Sequence, residues 1–337
     1  MRSFTARPPA RLLPVLGLLV LSPMCAEYLV GYDTSTGDPL ALLGGLLLLA
    51  PLYGAPAVLI REAARRSGMR WPGVVALALA FAVLQAGVVD QSMFSESYRD
   101  IEFWDDMVRP TFVPSLGIAA YTTLSFLTGH VIWSYGAPIA LVESLAPRLA
   151  GRPWLRGPGL VLMALLYLAS AALILVDHLR TQSDHATPAQ LTGALVAVAA
   201  LAAFAVTAGR RRPARTDAAV PPAPALAAAA LAAGLGFQFL PATWPGVAGG
   251  AAILAVSAAA LVRLTRSVRR RATHTAALAA GVLVANAIVG FLAQPLGEVS
   301  PVAKYAHNTA FFAGAVLLGL WAARRAARDR VPVPDRR

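Results

Sequence analysis

The sequence predicts an all-α, polytopic transmembrane helix bundle of about ten spans with both termini cytoplasmic, and three observations carry that prediction. Of its 337 residues, 57% are hydrophobic and only 14% charged, with a mean hydropathy of +0.62; soluble domains carry about 25% charged residues. The apolar residues fall into runs long enough to cross a hydrocarbon core, which takes roughly 20 residues at about 1.5 Å rise each. The arginines between the runs cluster in every second loop.

Taken in order, the runs lie at about residues 12–30, 40–60, 72–90, 114–143, 158–176, 189–208, 223–240, 246–262, 275–293 and 308–323. The first follows Arg2, Arg7 and Arg11 and could pass for a signal peptide. Ser22, Pro23 and Met24 do not supply the small residue a lipid-attachment site wants ahead of Cys25, so the run is expected to stay as an uncleaved span. In the second run, Pro51, Gly54 and Pro56 bracket Tyr53. The loop after the third, "DQSMFSESYRDIEFWDDMVRPTFVP", repeats Ile101, Trp104 and Val108 at helical spacing, which suggests a short helix on the membrane surface. Its six acidic residues lack the regular spacing of a calcium loop, so a solvated loop is expected and neither metal nor cofactor is assigned. The fourth run is too long for one straight crossing and must tilt or kink, with Gly136 and Pro138 marking the place.

"GRRRPARTDAAVPPAP", residues 209–224, reads as a cytoplasmic Pro/Arg-rich linker. It divides an N-terminal membrane half, 1–208, that holds most intramembrane polar groups from an Ala-rich C-terminal half, 225–337, of about four spans. The seventh and eighth runs are the least sharply separated, by "PATWPG" alone.

Assigning loops to alternate sides puts 25 of the 29 basic residues on one side, leaving Arg99, Arg109, Arg180 and Lys304 on the other. A single missed or invented span would scramble this segregation, so an even number of spans is expected. The acids lean outward, among them Asp33, Asp90, Asp177, Asp184 and Glu298. The formal charge of +12 is therefore a signature of topology. Nucleic-acid binding is excluded, because it needs a contiguous basic stripe with interleaved readers. With Cys25 alone, neither an intrachain disulfide nor a thiolate cluster is possible. The absence of GxxxxGK[ST] excludes self-powered ATP-driven work.

A polar side chain at mid-bilayer costs about 2.5 kcal/mol or more, so each such residue needs a partner or a wet cavity. Glu27 falls in the outer part of the first span, Gln85 in the outer half of the third, and His130 near the centre of the fourth. Thr123, His130 and Ser134 share one helical face. A break before Pro138 would free carbonyls near Ser134, tolerable only where protein or cavity water satisfies them. Glu27, Tyr53, Gln85, Thr123, His130 and Ser134 therefore form the candidate intramembrane polar site. Glu62 and Glu143, near the cytoplasmic face, are expected to pair with neighbouring arginines.

"LSPMCAEYLVG" (21–31), "PLYGAPAVLIREAARRSGMRWP" (51–72) and "HVIWSYGAPIALVE" (130–143) resemble a family of uncharacterised bacterial multi-pass membrane proteins over about the first half of the chain. That resemblance implies a common fold and lends no activity. "REAARR" and "FLTGH" are also similar to the CAAX-processing type of intramembrane protease. This likeness implies roles for Glu62, Arg66, Phe126 and His130, but Arg61 replaces the first glutamate of the E-E-x-x-x-R motif. "HVIWS" ends in Ser134, and "HNTAF" (307–311) lacks the asparagine four residues after its histidine. The leading functional expectation is a transporter or permease-like protein of a bacterial plasma membrane, with a small polar cavity in its N-terminal half and an unknown small solute. The ten-span count resembles the drug/metabolite transporter superfamily, whose two similar halves and short loops this chain lacks. A protease-like activity and a non-catalytic scaffold that binds a membrane partner protein are the alternatives. The bilayer is the one partner assigned.

Overall fold

The computed structural model describes residues 8–99 and 101–328. Arg2, Arg7, Arg330, Arg336 and Arg337 of the basic flanks, and Asp100 of the acidic loop, lie outside the described residues. Helix forms in each of the ten expected runs. Eight helices are long and apolar enough to cross a membrane: Arg11–Tyr28, Pro39–Ser67, Trp71–Val89, Gly157–Thr181, Pro188–Arg210, Trp244–Arg266, Ala272–Gly290 and Pro301–Arg328. The other two are the fourth, continuous through Ala120–Gly129, His130–Gly136 and Ala137–Leu145, and the seventh, the shorter Ala223–Gln238. The molecule is an all-α polytopic bundle.

Two local expectations need correction. The fourth span starts at Ala120, not near 114, because Phe112–Val113 and Ile118–Ala119 pair as a small antiparallel hairpin. Gly117 turns that hairpin at φ +60°, a conformation costly for other residues. The short outer helix forms at Trp104–Val108, but its apolar side does not lie on the membrane surface. Trp104 and Val108 are buried with Ala119 against Tyr98 and Phe126, and the Trp104 indole donates to the Ser95 carbonyl at 3.1 Å. The protein offers this apolar face a closer partner than the bilayer does.

Burial sorts the spans into a centre and a rim. The third span is 61% buried along its apolar window, whereas the sixth and eighth are 11% buried. Lipid tails are as apolar as leucine, so hydrophobicity alone cannot hold helices together in a bilayer; small residues that permit close approach do. The third span accordingly buries Ala76, Ala78, Ala80 and Ala82, and the ninth buries Ala276, Ala279, Ala285 and Ala287. The fifth leaves Leu162, Leu165, Leu168 and Leu173 exposed. Gly54 lies against the first span so closely that a Cβ there would sit 2.4 Å from the Leu19 carbonyl oxygen.

The two halves share a core. Leu29, Trp133 and Leu141 of the first half pack with Phe237, Leu283 and Ala322 of the second. The stretch after the sixth span is also tied down: the Thr216 amide donates to the Arg266 carbonyl, the Val268 amide to the Thr216 carbonyl, and Arg269 pairs with Asp217 at 2.6 Å.

Loop contacts divide as an alternating topology requires. The Arg70 amide donates to Gly209, Arg61 to the Ala150 carbonyl and Arg325 to Leu145, all joining basic loops. At the other end, the Leu296 amide donates to Tyr32, Glu96 to Asp184, and Arg99 pairs with Asp177.

Candidate functional site

Each of the first four spans contains a π-helical segment: Met24–Tyr28, Ala50–Gly54, Gln85–Val89 and His130–Gly136. Among the described residues there are no others. Such widened turns close with i→i−5 hydrogen bonds and concentrate at functional sites. Here they close from Leu29 to Met24, Ala55 to Ala50, Asp90 to Gln85 and Ala137 to Ile132. The cause is clearest in the fourth span. Pro138 has no amide to give the Ser134 carbonyl, and its ring clashes with that carbonyl, so the helix widens just before it.

Widening leaves carbonyls seeking donors where no bulk water is available. The Ser22 hydroxyl lies between two of the breaks and meets both the Ser134 carbonyl and, at 3.0 Å, the Tyr53 carbonyl. In the first span, the Cys25 carbonyl accepts from Asn286 Nδ2 at 3.4 Å, and the Tyr28 carbonyl pairs with His307 Nε2 at 2.7 Å. The Gly37 amide donates to the other ring nitrogen of His307 at 3.3 Å, which assigns a neutral ring with its proton on Nε2. In the third, the Ala86 carbonyl accepts from the Met93 amide at 2.9 Å.

The side chains at the breaks make a connected chain. Glu27 accepts from the Tyr32 hydroxyl, and Tyr53 lies beside it. The Tyr53 ring stacks on His130 with centroids 5.8 Å apart. His130 Nδ1 lies 3.1 Å from Ser134 Oγ, while its Nε2 has no hydrogen-bond partner among the described residues. Gln85 is buried and donates to Asp90 at 3.1 Å. Gln85 Oε1 and Thr123 Oγ1 are buried without a hydrogen-bond partner. Tyr53, His130 and Ser134 are thus in direct contact, Glu27 lies beside Tyr53, and Gln85 bonds to Asp90. Thr123 makes no hydrogen bond to them.

Glu62 belongs to a different cluster. Its Oε1 accepts from Arg61 at 2.7 Å and from the Trp154 amide at 2.7 Å, while Oε2 accepts from the Leu155 amide at 3.3 Å and lies 3.5 Å from Arg66. Arg61 is fully buried, stacks 3.6 Å over the Trp154 ring, and also reaches Glu143 at 3.1 Å. Arg65 binds both oxygens of that same Glu143. Both oxygens of Glu62 are occupied in holding the second span to Trp154 and Leu155, while Arg61 and Arg65 tie the same span to Glu143 of the fourth. Phe126 stacks 5.7 Å from Trp104 at the outer end. Of the protease-like candidates, Glu62 and Arg66 share one cluster, while His130 and Phe126 lie elsewhere.

Sequence reasoning did not select Ser22, Tyr32, Asp90 or Asn286 as site residues. Serine and asparagine are unremarked in apolar helices, and only the breaks facing them give them a task. Asp90 was legible as an outer-loop acid, without its link to Gln85. Among the described residues no group of three or more His, Cys, Asp or Glu side chains stands ready to hold a metal ion.

A family model described as an uncharacterized membrane protein family matches residues 16–331. Comparison with curated proteins and with solved structures gives no match.

Proposed function

We propose, from the premise that this chain belongs to an uncharacterized membrane protein family, that it is a permease of a bacterial plasma membrane whose site for a small polar solute lies among Glu27, Tyr53, His130 and Ser134. The observation that carries this reading is the open Nε2 of His130 within a chain of polar groups at broken helices. His307, by contrast, has both ring nitrogens hydrogen-bonded. Transport folds place binding groups at such interruptions, where irregular backbone lines a cavity. The bland reading of His130, a helix-to-helix hydrogen bond, is weakened because its one hydrogen bond is to Ser134 of its own helix. The bonding of Glu62 removes the main support for a protease.

The test does not require the solute to be known in advance. Pools of small metabolites are compared by mass spectrometry in cells carrying the wild-type chain, Glu27→Gln, His130→Ala or an empty vector. The permease reading expects at least one polar metabolite to shift with the wild-type chain and to return to the vector level in both variants at equal protein abundance. Identical pools in wild-type and vector cells would remove the reading.

A further inference from the structure

At the basic end, the chain brings three separate loops around one open cavity of about 880 Å³. Arg65 comes from the last turn of the second span and Arg70 from the stretch after it, Arg211, Arg212 and Arg215 from the stretch after the sixth, and Arg270 from the loop after the eighth. The lining contains one carboxylate, Glu143, and both of its oxygens are bound by Arg65. Arg270 shares this lining with Arg215, Arg65 and Arg70, and among the described residues its side chain bonds to the Thr275 hydroxyl at 3.0 Å. Burial, and then those three arginines, pull its guanidinium below its ordinary value.

Membrane topology explains basic loops, but it does not explain their convergence. The positive-inside rule asks only that arginines lie near span ends on one side, where they could point apart into water. The cationic walls are instead held together by backbone. The Arg70 amide donates to the Gly209 carbonyl at 3.0 Å, the Thr216 amide to Arg266 at 3.1 Å, and the Ser267 hydroxyl to Ala218 at 2.7 Å. Like charges facing one another in a partly desolvated space repel, and a bound anion relieves that repulsion. The volume falls within the roughly 300–1,000 Å³ of small-molecule sites. Planar guanidinium groups from several directions suit the tetrahedral oxygens of phosphate.

We propose that this cavity is a binding site for a phosphate-bearing anion, with Arg211, Arg212, Arg215 and Arg270 as its main contacts. The site is independent of the permease reading and lies at the other end of the second and fourth spans from Glu27. A phosphate group can arrive on a soluble molecule or on a lipid headgroup, and the experiment has an arm for each. The full chain, purified in neutral detergent, is titrated calorimetrically with inorganic pyrophosphate; in parallel, native mass spectrometry follows retention of phosphatidylglycerol against phosphatidylcholine. The expected result is saturable binding in at least one arm, weakened about tenfold or more by Arg211→Gln/Arg212→Gln. Both residues are exposed on the rim, so the fold should survive. Arg324→Gln/Arg328→Gln, two exposed arginines outside the cavity, should leave binding unchanged. Pyrophosphate binding assigns a soluble ligand, and preferential phosphatidylglycerol retention assigns a headgroup. No binding in either arm, or equal weakening by both double variants, overturns the site.

Discussion

Arg61 and His130 show how differently two polar residues in an apolar chain can be used. Arg61 is fully buried and fully paired, with Glu62, Glu143 and two backbone carbonyls as acceptors and Trp154 beneath it. Removing one partner of a buried ion pair leaves the other uncompensated, which costs about 3–5 kcal/mol. Arg61→Met should therefore lower the thermal unfolding midpoint in detergent clearly, whereas Arg324→Gln, at an exposed position, should shift it little. His130 sits half-buried with one nitrogen unclaimed, and His130→Ala should leave stability close to wild type. At this scale the sequence was partly legible. Glu27, Tyr53, His130 and Ser134 stand out because polar groups in apolar runs are costly, and three of the six candidates, Tyr53, His130 and Ser134, do touch in a row. Ser22 and Asn286 carry no such signal, because their importance comes from carbonyls that face them across other helices.

The π-helical segments are the feature that turns ten helices into a site. Two were open to prediction from local chemistry: Pro138 withholds an amide from Ser134, where Ser22 fills the gap, and Pro56 stands in the same place after Ala50–Gly54. The third span breaks at Gln85–Val89 with no proline in it, and nothing in "QAGVV" announces that. The pairing of Ser22 with Pro138 makes a quantitative expectation. Ser22→Ala removes the hydroxyl that meets the Ser134 and Tyr53 carbonyls and should cost about 1–3 kcal/mol. Pro138→Ala restores an amide able to reach the Ser134 carbonyl in a regular helix, so it should recover part of that loss. A double-mutant cycle on unfolding free energies should give a favourable coupling of about 1 kcal/mol, and strict additivity would show that the two residues do not share the carbonyl. Element boundaries were less legible than element existence, as the hairpin ahead of Ala120 shows. There a tight turn competes with an apolar run that periodicity alone would extend.

Over the whole molecule, the segregation of arginines anticipated the arrangement best. Basic loops meet basic loops and acidic loops meet acidic ones, through contacts as separate as Arg70 with Gly209 and Leu296 with Tyr32. The shared core of the two halves was not legible, because alanine and glycine that pack helices together look the same in sequence as those facing lipid. Orientation is open to direct test. Cysteines placed singly at the exposed positions Arg152, Arg212 and Arg269, in a Cys25→Ser background, should be shielded from an impermeant thiol reagent in intact cells. Those at the exposed Glu96, Ser183 and Glu298 should label.

The central claim is that the breaks in the first four spans hold their polar groups in a water-accessible site, and labelling tests it most directly. Single cysteines at Glu27, Gln85, His130 and Ser134, in the same Cys25→Ser background, are exposed to a small membrane-impermeant thiol reagent from each side of the membrane. The account predicts labelling at positions 27 and 130, with position 130 slower than the Glu96 loop control. No labelling at any of the four from either side, while the Glu96 and Arg152 controls label from opposite sides, would show a dry, structural cluster and contradict it.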